Sequence, residues 1–158
     1  QQESFLRQVH QNLKENGKLY LAIENRFDFK MFMGVKDPHS NTLFTSVLPR
    51  KVANWISLSK LGRPYINWTY SFEGIACLLK KTGFSKVEMY LCSPDYRFPE
   101  SIIPYNRPLD NYRSTISRRN SNGKITIKRT GGYIAERIIF RVLKAKIFSP
   151  SIIAIGYK

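Results

Sequence analysis

An unbroken run of apolar side chains, Leu-Tyr-Leu-Ala-Ile, occupies residues 19–23. Apolar residues without alternation are typical of a strand buried on both faces, as in a sheet covered by helices. Residues 3–15 before it repeat apolar positions at helical spacing, and Gly17 is a suitable helix stop because glycine adopts positive φ without strain. The pattern predicts a helix, a short turn and a buried strand, which together are an α/β unit.

Five further elements follow from periodicity and turn signals, namely helices at residues 48–61, 72–82 and 133–146 and strands at 85–92 and 151–157. Ser71 is a good N-cap for the helix at 72–82, and Gly83 a suitable stop. The predicted inner stripe of the helix at 48–61 is Val52, Trp55, Ile56 and Ser59. That of the helix at 133–146 is Ile134, Ile138, Val142 and Ala145. The last strand is expected to lie beside residues 19–23, buried on both faces.

Composition narrows the class of protein. The chain has 158 residues, enough for one domain with a core, and a formal net charge of +15. Residues 106–158 contain 12 basic and 2 acidic side chains. This positive charge would suit binding to nucleic acid, to a phosphorylated substrate or to an acidic membrane surface. The alternative is a solvated basic surface without a partner. No apolar run approaches the roughly 18 residues that span a bilayer. Two cysteines without partners at metal spacing predict reduced thiols, no metal site and a cytoplasmic location.

Polar side chains follow the ends of two predicted strands, at the sheet edge where α/β proteins bind ligands. The substrate-binding candidates are Glu24, Asn25, Arg26, Asp95, Tyr96 and Arg97 at these strand ends, with Tyr65 and Tyr70 as platforms for a sugar ring. His39, in the long connection at 27–70, is the candidate catalytic base. Each has a structural alternative: a local turn bond for His39, backbone caps for Asn25 and Arg26, and packing for the others.

The order of these segments resembles a known family. Residues 13–22, Leu-Lys-Glu-Asn-Gly-Lys-Leu-Tyr-Leu-Ala, are similar to the helix end and fifth strand of class I S-adenosylmethionine-dependent methyltransferases, with Asn16 in place of the usual glycine. Residues 70–87 resemble the following helix and the sixth strand, and 148–155 the final antiparallel strand. A bacterial subgroup associated with glycosyltransferases and cell-surface polysaccharide synthesis is a closer match, carried by residues 22–26, 37–39, 62–65 and 94–99.

The resemblance implies a partial Rossmann-like sheet, comprising strands five to seven with the last strand antiparallel, in a single domain over residues 1–158. It also implies a helical insertion at 27–70 that covers the substrate, and a basic variable segment at 106–132. The chain begins at Gln1 inside a helix pattern and contains no G-x-G-x-x-G. We therefore expect the carboxyl-terminal part of a methyltransferase, whose S-adenosylmethionine-binding residues lie upstream of Gln1 and which is inactive alone.

The implied activity is methyl transfer to a small, glycan or lipid-linked acceptor. Two alternatives remain open at this point. The first is an RNA-binding or RNA-methylating module that uses the basic carboxyl-terminal third. The second is a structural domain that has lost its cofactor half.

Overall fold

The computed structural model describes residues 1–37, 39–109 and 127–158, and in the last of these ranges it describes side chains from residue 130 onward. Within these ranges the chain is α/β, with a four-stranded open sheet and five α-helices. The predicted α/β class is confirmed. Most of the basic variable segment predicted at 106–132 lies outside the described residues.

The helices and strands follow one another in a simple order along the chain. They are α1 (Gln2–Asn12), β1 (Lys18–Glu24), α2 (Phe29–Phe32), α3 (Arg50–Leu61), α4 (Phe72–Lys81), β2 (Lys86–Ser93), β3 (Ser101–Pro104), α5 (Ile127–Arg137) and β4 (Ser151–Tyr157). A π-helical turn, Ile138–Val142, continues α5, and a 3-10 turn, Lys146–Phe148, precedes β4. In the described part of the chain, no helix combines the length and the apolar character needed to cross a bilayer.

The sheet has the strand order β1-β4-β2-β3, and every neighbouring pair is antiparallel. β4 lies in the centre, where Ile153 pairs with Ala22 of β1 on one side and with Tyr90 of β2 on the other. Because β4 is antiparallel to both neighbours, β1 and β2 run parallel to each other. The prediction that residues 19–23 and the last strand lie side by side is confirmed.

The prediction that β1 is buried on both faces is wrong. Tyr20 is 60 % exposed, and the other residues of the apolar run are only partly buried. β1 is an edge strand in the described chain, so one of its sides has no neighbouring strand there. In contrast, Ile152, Ile153 and Ala154 of central β4 are at most 2 % exposed.

The turn between α1 and β1 also differs from its prediction. α1 ends at Asn12, and Leu13 already has an extended backbone. Asn16, with φ of 60°, has the positive φ expected of Gly17. Gly17 is required for a different reason, because a Cβ there would lie 2.7 Å from the carbonyl oxygen of Lys14.

The hydrophobic core lies between α4 and the sheet. Leu79 of α4 is fully buried with Phe72 and Ile75, and they belong to the same core as Leu91 of β2 and Ile152 of β4. The predicted caps of α4 are confirmed: the Ser71 hydroxyl accepts a hydrogen bond from the Gly74 amide at 3.2 Å, and Gly83 has φ of 112°.

The long connection at 27–70 contains α3, as predicted, and the short α2, which was not predicted as a helix. The predicted inner stripe of α3 is wrong. Val52, Trp55 and Ser59 are exposed, and the buried residues of α3 are Ala53 and Ser57. The inward side of α3 is therefore the side that carries Ser57, whose hydroxyl donates to the Arg63 carbonyl oxygen at 2.8 Å.

The predicted inner stripe of the last helix is also wrong. Ile134, Ile138 and Val142 are exposed, whereas Phe140 and Glu136 are fully buried. The helix changes to a π-helical turn at Ile138–Val142. Ile134 and Glu136 both precede this turn, so the buried face already lies away from the predicted stripe before the π-helical turn begins.

Candidate functional site

An open cleft of about 190 Å³ lies at the carboxyl ends of the parallel strands β1 and β2. It is lined by Glu24 and Asn25 from the end of β1, by Asp95 and Arg97 from the loop after β2, and by Asp28. Four of these five residues were predicted from the sequence. Pockets that enclose whole small molecules have volumes of roughly 300–1,000 Å³, so this cleft suits one group of a larger ligand.

Glu24 and His39 form a pair at the edge of the cleft. The Nε2 atom of His39 lies 3.1 Å from Oε2 of Glu24, and the two side chains are 44 % and 35 % exposed. When Nε2 carries the proton it donates to Glu24, which leaves Nδ1 to accept a proton. His39 lines a neighbouring groove with Arg63 and Asn67, so Glu24 is the member of the pair that faces the cleft.

A buried carboxyl group, Asp37, fixes the backbone that carries His39. Its Oδ1 atom accepts hydrogen bonds from the amides of His39 and Ser40, each at 2.9 Å. Its Oδ2 atom accepts a hydrogen bond from the Tyr65 hydroxyl at 3.0 Å. Asp37 is 1 % exposed, and buried carboxyl groups that accept several bonds hold a loop in one geometry. Through these hydrogen bonds, Asp37 holds the backbone of His39 and thereby orients the Glu24–His39 pair.

Buried hydroxyl groups extend this network along the connection. Ser40 Oγ lies 2.8 Å from Thr42 Oγ1 and 2.6 Å from Thr45 Oγ1, and the two threonine hydroxyls are 2.9 Å apart. Ser40 Oγ also donates to Asp37 at 3.2 Å. Polar groups without aromatic or aliphatic bulk therefore form the interior of this loop.

The side chain of Asn25, predicted to bind substrate, is occupied within the fold. Its Nδ2 group donates to the carbonyl oxygens of Ile147 and Ser149 at 2.6 and 2.7 Å, and its Oδ1 accepts from the Phe27 amide at 3.1 Å. Asn25 is 3 % exposed. It ties the end of β1 to the segment before β4, which is the structural alternative that the sequence left open.

Arg26 has a similar structural role. One of its guanidinium nitrogens, Nη2, donates to the carbonyl oxygens of Val47 and Leu48 at 3.1 and 2.8 Å. The Nε atom of Arg26 is buried and has no hydrogen-bond partner among the described residues. Arg26 therefore holds the segment just before α3 against the end of β1.

Asp95 and Arg97 form a two-point ion pair after β2. Nη2 of Arg97 lies 2.6 Å from Oδ2 of Asp95, and Nε lies 3.1 Å from Oδ1. The hydrogen bonds from Arg97 hold the pKa of the Asp95 carboxyl below its ordinary value, and the same contact raises the pKa of Arg97. The pair stays charged at neutral pH. Tyr96 lies beside Arg97, with 5.8 Å between the guanidinium carbon and the ring centroid, and does not line the cleft.

The two tyrosines predicted as platforms for a sugar ring, Tyr65 and Tyr70, are engaged in contacts within the described fold. Tyr65 is 5 % exposed, and burial, with Asp37 beside its hydroxyl, raises its pKa. Tyr70 donates its hydroxyl hydrogen to Oε1 of Gln2 and forms a parallel bridge with Asn25. The Tyr70 ring packs against the main hydrophobic core, and neither ring lines the cleft.

Asp28 lines the cleft but was not among the site residues predicted from the sequence. Its Oδ1 atom accepts a hydrogen bond from the Lys30 amide at 2.9 Å and caps α2. Burial raises the pKa of Asp28 to about 6. The Lys30 ammonium group reaches across to the carbonyl oxygen of Pro94 at 3.2 Å, which links the two sides of the cleft. An aspartate directly before an apolar helical turn is an N-cap signal that could have identified this residue.

Among the residues that the structure describes, no group of three or more His, Cys, Asp or Glu side chains could hold a metal ion. Comparisons of the chain with protein-family models, with curated proteins and with solved structures gave no match. Functional inference therefore depends on the sheet topology and on the geometry of this cleft.

Proposed function

We propose that these residues form the acceptor-binding part of a class I S-adenosylmethionine-dependent methyltransferase that acts in the cytoplasm on a glycan or lipid-linked glycan. The observation that carries the proposal is the position of β4, which is antiparallel to β1 and β2 and lies between them. The sequence resemblance requires this arrangement for strands five, seven and six of that family.

The position of the cleft supports the same proposal. It lies at the carboxyl ends of two parallel strands, which is where open α/β sheets bind their ligands. Glu24 and the Asp95–Arg97 pair supply acceptors and donors for hydroxyl groups, and the small volume suits one sugar unit of a longer chain. The insertion supplies Asp28 and Asp37 from one side.

Methyl transfer to a hydroxyl group needs alignment and a destination for one proton. The acceptor oxygen attacks the methyl carbon, the bond between that carbon and the sulfonium sulfur breaks, and the electron pair stays on sulfur. In the proposal the hydroxyl proton passes to the Glu24–His39 pair, which is solvent-accessible and held by Asp37. S-adenosylmethionine supplies the methyl group, and this sequence contains no glycine-rich loop to hold it.

The first test concerns the cofactor. The proposal requires the codons before Gln1 to encode a buried strand followed by a glycine-rich loop, and an acidic residue after the next strand. It also requires that the 158 residues alone bind S-adenosylmethionine weakly or not at all, as measured by isothermal titration calorimetry. Micromolar affinity of these residues, or an upstream sequence without the loop, would refute the proposal.

The second test concerns the acceptor. Protein encoded by the whole gene is incubated with tritium-labelled S-adenosylmethionine and fractionated cell-surface glycans and lipid-linked glycans, and label in each fraction is counted. His39→Gln is expected to lower kcat by about 10²–10⁴-fold, whereas Lys14→Gln on the surface is the matched control. Equal rates for both variants would remove His39 from the chemistry.

RNA binding stays a prediction, because residues 110–126 of the basic segment lie outside the described residues.

A further inference from the structure

Large apolar side chains are unusually exposed on and beside α3. Three of them, Val52, Trp55 and Leu58, are 41 %, 68 % and 46 % exposed. They are spaced three residues apart on the helix, on the side away from buried Ala53 and Ser57. We call these three residues the α3 surface. Ile66 and Trp68, in the segment after α3, are also exposed, at 74 % and 59 %.

The segment after α3 is hydrogen-bonded to the helix at Arg50, Asn54 and Ser57, and it leaves the α3 surface exposed. The Ser57 hydroxyl donates to the Arg63 carbonyl at 2.8 Å, and Asn54 Oδ1 accepts from the Tyr65 amide at 3.1 Å. Near the start of α3, the Arg50 guanidinium donates to the carbonyl oxygen of Asn67 at 2.5 Å.

Arg50 also determines the position of the second tryptophan. Its guanidinium carbon lies 4.2 Å from the centroid of the Trp68 ring, which is a cation–π contact. An arginine stacked on an exposed indole keeps its charge at the surface while it holds the ring beside the first turn of α3. Trp68 therefore belongs to the segment that is bonded to the start of α3, whereas Trp55 lies on the exposed side of the helix.

The stretch of sequence that contains the α3 surface carries charge of one sign. Residues 38–72 contain four basic side chains and no aspartate or glutamate. The basic residues are Arg50, Lys51, Lys60 and Arg63, and all four are exposed. An apolar stripe with tryptophan, flanked by lysine and arginine, is typical of helices that lie in the interface of an anionic bilayer.

Other occupants match these observations less well. A nucleic acid would complement the charge but would leave the aliphatic side chains of Val52 and Leu58 in water. A second copy of the chain would cover apolar area, but each copy has a formal charge of +15 and like charges repel. An anionic phospholipid surface satisfies both the apolar and the charged groups.

We propose that the α3 surface binds the surface of anionic phospholipid bilayers, with Trp55, Val52 and Leu58 in the interface and the surrounding cations at the headgroups. This goes beyond methyl transfer and does not depend on it. It would bring the insertion next to a membrane in which a lipid-linked acceptor resides.

Fluorescence of the two tryptophans tests the proposal directly. The protein is titrated with vesicles of phosphatidylcholine alone and with vesicles in which one third of the lipid is phosphatidylglycerol, at 0.1 M salt. Anionic vesicles are expected to shift the emission to the blue, brominated acyl chains to quench it, and 0.5 M salt to weaken the binding. Zwitterionic vesicles are expected to bind at least tenfold more weakly.

Variants separate the two parts of the surface. Trp55→Ser is expected to weaken binding about tenfold, with Trp68 still reporting. Its control is Phe5→Ser, because Phe5 on α1 is 64 % exposed outside the α3 surface. Lys51→Glu combined with Lys60→Glu is expected to weaken binding at least 25-fold, since each basic residue near an anionic surface changes affinity about fivefold.

The charge control reverses Lys14 and Lys80 instead, which changes the net charge equally at exposed positions elsewhere. Equal binding to both kinds of vesicle, or equal losses in a variant and its control, would overturn the proposal. So would RNA binding at 0.1 M salt without vesicle binding. A concentration-dependent blue shift without lipid, matched by dimers in sedimentation, would assign the surface to a second copy instead.

Discussion

The hydrogen bond between Tyr65 and Asp37 is the most informative contact to remove. Tyr65→Phe deletes the hydroxyl that donates to Asp37 Oδ2 at 3.0 Å and leaves the ring in place. Asp37 is 1 % exposed, so water cannot replace the lost donor without opening the loop. The change therefore leaves one oxygen of a buried carboxyl group without this partner.

The size of the effect follows from the chemistry of the pair. A hydrogen bond to a charged group contributes about 1.5–3 kcal/mol, and an orphaned buried acceptor has a cost of the same order. The buried apolar area does not change, so we expect the free energy of unfolding to fall by about 1.5–3 kcal/mol. For a chain of this length that corresponds to a fall in Tm of roughly 3–12 °C.

Urea unfolding followed by tryptophan emission measures the change, with Tyr20→Phe as the matched control. Tyr20 is 60 % exposed on β1, and its substitution is expected to change stability by less than about 0.5 kcal/mol. Hydrogen exchange provides a second measurement, since the amides of His39 and Ser40 donate to the other oxygen of Asp37. We expect these two amides to exchange faster in Tyr65→Phe. Stability and exchange equal to those of the control would refute the role of Asp37 as the anchor of this loop.

Two further predictions concern the core and the cleft. Gly156→Ala in β4 is expected to lower the free energy of unfolding by about 1–3 kcal/mol, because a Cβ there would lie 2.7 Å from the ring of Phe84. Thermal unfolding measures this loss of stability. The control is Gly131→Ala, which should not destabilise the protein because no atom lies within 4 Å of the added Cβ. Asp28→Asn keeps an oxygen to cap α2 but removes the titration. Burial raises the folded-state pKa of Asp28 to about 6 from 3.8, so the wild type binds this proton more tightly when folded. Its stability relative to Asp28→Asn should fall by about 2 kcal/mol as the pH rises from 4 to 7. Parallel curves of stability against pH for the two proteins would contradict the assignment.

Much of the sheet and its helix could be predicted from local patterns. α4 has an apolar face of constant period, a serine cap and a terminal glycine, and these signals depend only on neighbouring residues. The pairing of the run at 19–23 with the last strand was also correct, because both are short apolar segments that need a partner of the same kind. Burial on both faces failed for β1, since it depends on the edge position of that strand and not on its composition.

The candidate site was predicted in part. Glu24, Asp95 and Arg97 line the cleft, because the carboxyl ends of parallel strands meet at one edge of a sheet. Asn25 also lines it, but with its side-chain amide bonded to backbone carbonyls 122 and 124 residues away in the chain. No local pattern reveals contacts at such a separation, so the structural and functional alternatives for Asn25 could not be distinguished in the sequence.

Local patterns in the sequence predicted the α/β class, the approximate positions of the elements and which residues follow strand ends, because periodicity and capping are local properties of a chain. The inward side of α3 and the burial of Asp37 under Tyr65 are known from the three-dimensional structure alone. Both depend on hydrogen bonds to residues outside the element concerned. There the satisfaction of buried polar groups outweighs the hydrophobic pattern.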